Sequence, residues 1–213
     1  MTPGLTVVVD YGLCNLDSMV RALEECGATE VECSRDPQVV RRAARVVLPG
    51  VGSFAVAMRN LKETGLLDAI REVSATGVVP FLGACLGMQL MATVGTEGVA
   101  YGTIEGLGLV EGEVIRLAPQ SNDERIPHIG WNDVQARPGS TLFNDIPGAG
   151  DFYFVHSYHL RLANMSDETG RSSYCGGFTA AIQLQGRPIF GVQFHPEKSQ
   201  KNGFRLLKNF LSV

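Results

Sequence analysis

The run Val78-Val79-Pro80-Phe81-Leu82-Gly83-Ala84-Cys85-Leu86-Gly87-Met88-Gln89 carries apolar residues into Gly-x-Cys-x-Gly and then into a helix-forming segment. That is the layout of a nucleophile elbow with cysteine in the place of serine. Gly83 and Gly87 permit a crowded turn between strand and helix, which pushes the Cys85 side chain out at the strand end. A thiol with an ordinary pKa of about 8.5 is mostly protonated at neutral pH, and it becomes an effective nucleophile when a helix N-terminus or a histidine stabilises the thiolate. The elbow supplies the first. His195, in Phe194-His195-Pro196-Glu197, can supply the second, and Glu197 lies two residues on, on the same side of an extended segment, where a carboxylate orients an imidazole. Taken alone, Cys85 would read as a small buried hydrophobe. Its glycine setting and the downstream His-x-Glu argue for a nucleophile instead.

Acyl transfer also needs an oxyanion hole. One donor is the N–H of Leu86, directly after the nucleophile. The second must come from a neighbouring strand end, and Pro49-Gly50-Val51-Gly52 is the candidate, with glycine on both sides of Val51 to let that peptide rotate. The same segment reads equally well as a plain strand-to-helix turn. Gln89 is four residues past Cys85 and faces the same side of a helix that starts at the elbow. Its amide can donate to and accept from a substrate. Glu97 follows that helix, where a loop carboxylate is ordinarily just solvated. His128 and His156 have no carboxylate or cysteine at ligand spacing, so neither a metal nor another cofactor is expected. Trp131, the only tryptophan, stands between Gly130 and Asn132 in what reads as a polar loop, as much a partner anchor as a core residue.

These residues need a scaffold. Leu5 to Val9, Glu30 to Cys33, Arg45 to Leu48 and Val78 to Leu82 read as strands. Helices are expected from an Asn15 cap to about Cys26 with Gly27 as the stop, after a Ser53 cap, over Leu66 to Ala75, and from Leu86 to about Val94. This alternation predicts an α/β fold with a parallel sheet and crossover helices. From Gly102 to Gln193 short β-type runs (Val114 to Leu117, Phe152 to Val155, Phe178 to Leu184, Ile189 to Gln193) predict added antiparallel strands, and Ser199 to Leu211 a closing helix. No repeat or linker interrupts residues 1–213, read as a single domain.

With 213 residues, 45% apolar and 19% charged, the chain can bury one sizeable core. A net charge of −4 disfavours a general nucleic-acid or anionic-membrane surface. No apolar run nears the roughly 20 residues that span a bilayer. Met1-Thr2-Pro3-Gly4 lacks the pattern of a signal peptide, and five scattered cysteines with no Cys-x-x-Cys pair predict a reduced, cytoplasmic protein.

Gly83-Ala84-Cys85-Leu86-Gly87-Met88-Gln89 together with Phe194-His195-Pro196-Glu197 resembles the class I (triad) glutamine amidotransferases. Asp10 to Leu16, Leu48 to Phe54, Pro127 to Asn132, Tyr153 to Tyr158 and the tail His195 to Gln200 narrow the resemblance to the glutaminase subunits of imidazole glycerol phosphate synthase, over nearly the whole chain. The resemblance implies a twisted, mostly parallel sheet flanked by helices. It implies glutamine hydrolysis through a glutamyl thioester on Cys85, with His195 moving the proton and Glu197 orienting it. Val51 and Gly52, in the Pro49 to Gly52 segment, match a mobile oxyanion strand that pairs with Leu86. Gln89, Glu97, His156, Ser157 and Tyr158 match glutamine-holding positions. Trp131, Asn132, Tyr153 and Lys198 match the surface facing a (β/α)8-barrel cyclase partner, which uses the ammonia to make imidazole glycerol phosphate and an aminoimidazole carboxamide ribonucleotide in histidine biosynthesis. Two positions depart from the family: Cys14 stands where glycine is usual, and Ala84 where a larger aliphatic residue is usual.

Three other readings remain at this level. A related subunit can feed ammonia to sugar amidination with a similar barrel. A free-standing cysteine hydrolase would act on peptides or γ-glutamyl compounds without a partner. A non-catalytic module could keep the fold, against which the complete Cys85–His195–Glu197 set argues.

Overall fold

In strand β1 (Thr6–Val9), Val7 and Val9 belong to one hydrophobic cluster and Val8 to the other, and all three are fully buried. The same alternation holds in β3 (Arg45–Leu48), so the sheet is covered on both faces and its strands read as continuous apolar runs. The computed structural model describes residues 4–213; the reading of Met1 to Gly4 as lacking a signal-peptide pattern falls, for its first three residues, outside them. The remaining elements are α1 (Leu16–Glu25), β2 (Val31–Ser34), α2 (Pro37–Arg41), α3 (Phe54–Glu63), α4 (Leu66–Ala75), β4 (Phe81–Ala84), α5 (Leu86–Leu90), β5 (Ala92–Gly95), β6 (Ile104–Glu105), β7 (Val110–Arg116), β8 (His128–Ala136), β9 (Ala149–His156), β10 (Tyr158–Leu162), β11 (Glu168–Ser172), β12 (Phe178–Gln183), β13 (Ile189–Val192) and α6 (Gln200–Leu211).

Nine strands form the main sheet in the order β2-β1-β3-β4-β13-β12-β11-β8-β9. The β2 to β13 end is parallel, and the β13 to β9 end antiparallel. Apolar stripes of α3 and α4 cover one face, and those of α1 and α6 the other. A second sheet, β10-β7-β5-β6, packs beside the elbow helix. The consequence for chemistry lies in three adjacent parallel strands. β3 ends at Leu48, β4 at Ala84 and β13 at Val192, so Pro49 to Gly52, Cys85 and, three residues on from its strand, His195 all follow the carboxyl ends of neighbouring strands. Such strand ends are where open α/β sheets bind ligands.

Some expectations are corrected. The elbow helix stops at Leu90, and Ala92–Gly95 is strand β5: it pairs with β6 and β7, and Gly95 sits so close to Phe54 that an added Cβ would lie 2.8 Å from its ring. Tertiary pairing here overrides the helical pattern. The strand before the elbow begins at Phe81, since Pro80 has no N–H for a ladder. Helix α2 was not expected, although Asp36-Pro37 carries its start signal, with the Asp36 side chain accepting from Gln38 N at 2.8 Å. Trp131 lies within strand β8 rather than in a loop.

Candidate active site

Cys85 holds φ 53° and ψ −111°, a conformation L residues adopt only when their surroundings force it. The forcing contacts are visible. Cys85 N–H donates to the Val192 carbonyl at 2.8 Å, tying the elbow to β13. On the other side, a Cβ on Gly87 would fall 1.7 Å from the Leu48 carbonyl oxygen, so the elbow helix can approach β3 only because residue 87 has no side chain.

His195 is buried, and its Nδ1 lies 2.8 Å from Glu197 Oε1, with both side chains at most 5% exposed. The carboxylate can only accept, so Nδ1 carries the proton and Nε2 is left as the working nitrogen; it is buried and makes no hydrogen bond. Burial disfavours the imidazolium, but the Cys85 sulfur and the Glu197 carboxylate outweigh it and raise His195 to about 10. A charged imidazolium is the form this favours. The backbone around His195 is fixed as well: its N–H donates to Tyr153 O at 2.9 Å, and Ser199 Oγ donates to its carbonyl at 2.6 Å while accepting from Tyr153 N at 3.0 Å.

A cavity of about 110 Å³ opens at Cys85. Cys85, Leu86, Val51 and Gly52 line it together with Gln89, Glu97, His156, Ser157 and Tyr158, so the structure brings the expected oxyanion and glutamine-holding residues to one place. A larger groove of about 600 Å³ between α3, α4 and β6 lies away from the elbow; its polar lining mixes Arg59, Lys62 and Arg71 with Asp68 and Glu105 and includes no nucleophile.

The contacts refine several roles. Both donors of Gln89 are used internally, on Tyr158 O at 2.7 Å and on Gln193 Oε1 at 3.1 Å, so its amide can offer a ligand only its oxygen. Glu97 is no free loop carboxylate: Oε2 accepts from Phe54 N at 2.9 Å, capping α3, and burial raises its pKa against that hydrogen bond. His156 has neither ring nitrogen to spare. Nδ1 lies 2.9 Å from Tyr158 O and Nε2 3.0 Å from His128 Nδ1, while His128 Nε2 lies 3.3 Å from Asn132 Nδ2. Because Tyr158 O only accepts, the tautomers are set in sequence: Asn132 donates to His128, His128 to His156, and His156 to the cavity wall.

In the segment expected to complete an oxyanion hole, both candidate donors are already used within the chain. Leu86 N–H donates to the Gly50 carbonyl at 3.4 Å, and Val51 N–H to Leu13 O at 2.8 Å. Neither donor faces an empty hole. Tyr11 Oη holds the preceding carbonyl, Pro49 O, at 2.8 Å, and an added Cβ on Gly50 would lie 1.8 Å from that hydroxyl. Tyr11, Leu13, His128, Gln193 and Ser199 are the contributors that motif reading missed. Gln193 alone had a usable signal, since it stands only two residues before His195 in the sequence.

Of the expected partner-facing residues, Trp131 is 48% exposed, pairs across the sheet with Tyr153 and packs edge-on to it at 5.9 Å between ring centres. Lys198 Nζ lies 6.0 Å from the Tyr153 ring, a cation–π arrangement. Asn132 is the neighbour that starts the histidine chain.

Burial holds His128 at about 4 and His156 at about 3. In an unfolded chain both would titrate near 6.5. The depressed folded values make their contribution to stability complete above about pH 6.5, and it is lost as pH falls toward the folded values, because the unfolded state binds protons first. The melting temperature is therefore expected to fall between about pH 6.5 and pH 4, and to fall less steeply in His128→Gln. Equal slopes in a pH series of thermal melts would contradict this.

The glutamine amidotransferase class-I family model matches residues 7–213. The imidazole glycerol phosphate synthase subunit HisH of Moorella thermoacetica is 48% identical over 204 residues, which are 95% of this chain and 92% of that protein. The HisH subunit of Ruegeria pomeroyi is 42% identical over 98% of each chain. Among solved structures, PurLQS from Thermotoga maritima superposes with a TM-score of 0.74 over 100% of this chain and 99% of that one, at 19% identity, which speaks to the fold alone. A family match over nearly the whole chain thus coincides with a cysteine elbow, its histidine and its carboxylate at adjoining strand ends: the protein belongs to the class-I glutamine amidotransferases.

Proposed function

We propose that this chain hydrolyses glutamine to glutamate and ammonia as the glutaminase subunit of an imidazole glycerol phosphate synthase. The observation that carries the reading is the meeting of Cys85 with the Gln89, Glu97, Ser157 and Tyr158 wall in one cavity, joined to the HisH relatives. In this reading the Cys85 thiolate attacks the amide carbon of glutamine. The resulting oxyanion takes the N–H groups of Leu86 and, once its peptide has turned, Val51. His195 gives its proton to the departing nitrogen, the C–N bond breaks, and ammonia leaves a glutamyl thioester. A water then adds to the thioester, losing a proton to His195, and glutamate is released. Glu197 keeps the imidazole in the tautomer that makes both transfers possible.

The partner in this reading is a (β/α)8-barrel cyclase, docked over Trp131, Asn132, Tyr153 and Lys198. The exposure of Trp131 and its packing on Tyr153 support an anchor there. The present orientation of the Gly50–Val51 peptide supports a further point: the chain waits for its partner, because the hole is filled by a carbonyl. A cytoplasmic setting goes with the five free thiols. Among the described residues no helix is long and apolar enough to cross a membrane.

The test is covalent trapping. A chloroketone analogue of glutamine is expected to add its mass to Cys85, with protection by glutamine. Labelling of Cys14 or Cys33 in its place, or no protection, would count against the proposal.

A further inference from the structure

Gln193 is fully buried one residue past β13, with its N–H on Ala180 O at 2.9 Å. Its side-chain amide lies between two groups of the site: Oε1 is 3.1 Å from Gln89 Nε2, and Nε2 is 3.8 Å from Cys85 Sγ. The direction of this amide is fixed by chemistry. Tyr158 O is a backbone carbonyl and only accepts, so the end of Gln89 that lies 2.7 Å from it must be the NH2 end. That same nitrogen faces Gln193, which must present its oxygen there and therefore its NH2 to the sulfur. The Val155 carbonyl, 3.7 Å from Cys85 Sγ, only accepts and can serve the thiol but not the thiolate.

Resting on the glutaminase reading above, we propose that Gln193 is a further catalytic residue, whose amide N–H donates to the Cys85 sulfur. It holds the thiolate before attack and receives it again in the second half of the reaction. There water adds to the thioester carbon and passes one proton to His195. The C–S bond breaks with its electron pair remaining on sulfur, and the new glutamate carboxyl loses its proton to solvent. A thioester sulfur is a poor acceptor, so the N–H···S bond strengthens as the thiolate departs, which favours that step. Gln193 also leaves Gln89 oriented, its oxygen free for substrate.

The experiment uses the full chain and its Gln193→Met and Gln193→Glu variants. Iodoacetamide alkylation of Cys85 is followed against pH by peptide mass spectrometry, beside glutaminase kcat/KM with partner present and a thermal melt. The ionisable groups around the sulfur are His195 with Glu197 behind it, Tyr11, His156 and Glu97, and all stay in place in the variants. For Gln193→Met the acid limb of the alkylation profile is expected to move up by about one pH unit and kcat/KM at pH 7 to fall about tenfold, the size of one charge-assisted hydrogen bond. Gln193→Glu keeps an acceptor for Gln89 but sets a carboxylate against the sulfur, and its profile is expected to move further. An alkylation profile unchanged in both folded variants overturns the proposal. So does a loss of kcat/KM with no change in alkylation, since Gln193 would then act only by placing Gln89. Alkylation needs no glutamine, so a wild-type chain inert toward glutamine would remove the glutaminase reading while the profile still decides the contact.

Discussion

Replacing Cys85 with alanine is expected to cut glutamine hydrolysis on the order of 10⁴-fold or more. Ammonia-dependent synthesis by the complex should persist near the wild-type rate. The first effect follows because no other group at the site can form the acyl intermediate: among the residues lining the cavity, Cys85 is the one thiol, and the imidazole beside it is committed to Glu197 on its Nδ1 side. The second follows because free ammonia bypasses the glutaminase, and alanine leaves the elbow nearly unchanged in volume. The positive φ is already borne by a non-glycine residue, so the turn itself should survive. A variant that lost ammonia-dependent synthesis as well would mean that Cys85 maintains the complex, contrary to the division of labour proposed here. The check is a paired assay, glutamine against ammonium, on the same preparation.

Gly87→Ala is expected to do damage of a different kind. Its methyl group would be placed 1.7 Å from the Leu48 oxygen and 2.7 Å from the Leu48 carbonyl carbon, both backbone atoms of the strand that leads into the oxyanion segment. No rotamer change relieves a clash with backbone, so either α5 or the end of β3 must move. Overpacking of this kind costs typically about 1–3 kcal/mol and sometimes more. For a chain of this length that lowers the melting temperature by roughly 2–12 °C. Shifting β3 also shifts Pro49 and Gly50, so glutaminase activity should fall by about 100-fold or more even in the folded fraction. Normal melting together with normal kcat/KM would show that the elbow has more slack than its contacts imply.

The elbow and most of the residues that line the cavity were legible because each rests on short-range rules. Glycines beside Cys85 specify a turn, and a four-residue step places Gln89 with Cys85; His195 and Glu197 do meet, but through a 3-10 turn over Pro196–Lys198 rather than along the extended segment expected. The parallel half of the sheet was legible from buried Val-rich runs such as Val7 to Val9. What was not legible depends on contacts distant in sequence. Ala92–Gly95 looks helical until β7 is there to pair with it, and β8 becomes a long strand because β9 lies beside it. Val51 is held by Leu13 and Pro49 by Tyr11, both about forty residues away, and no spacing rule announces either contact. His156 matched a substrate-holding position, yet its two nitrogens face Tyr158 and His128, which only the fold reveals. The histidine chain and the glutamine pair share the Tyr158 carbonyl, so the path from Asn132 to Cys85 is one set of hydrogen bonds.

The central claim is that this chain is a glutaminase whose oxyanion hole is completed only in its complex. The most direct measurement is glutamate release from glutamine by the chain alone, then with a histidine-pathway cyclase subunit, then with that subunit and its ribonucleotide ligand. Weak release is expected from the chain alone, because the Gly50 carbonyl occupies Leu86 N–H and Val51 N–H is held by Leu13, and strong release when partner and ligand are both present. Full activity without the partner, or activity that the cyclase and its ligand leave unchanged, would contradict it and point to an independent hydrolase or to a subunit that serves a different barrel.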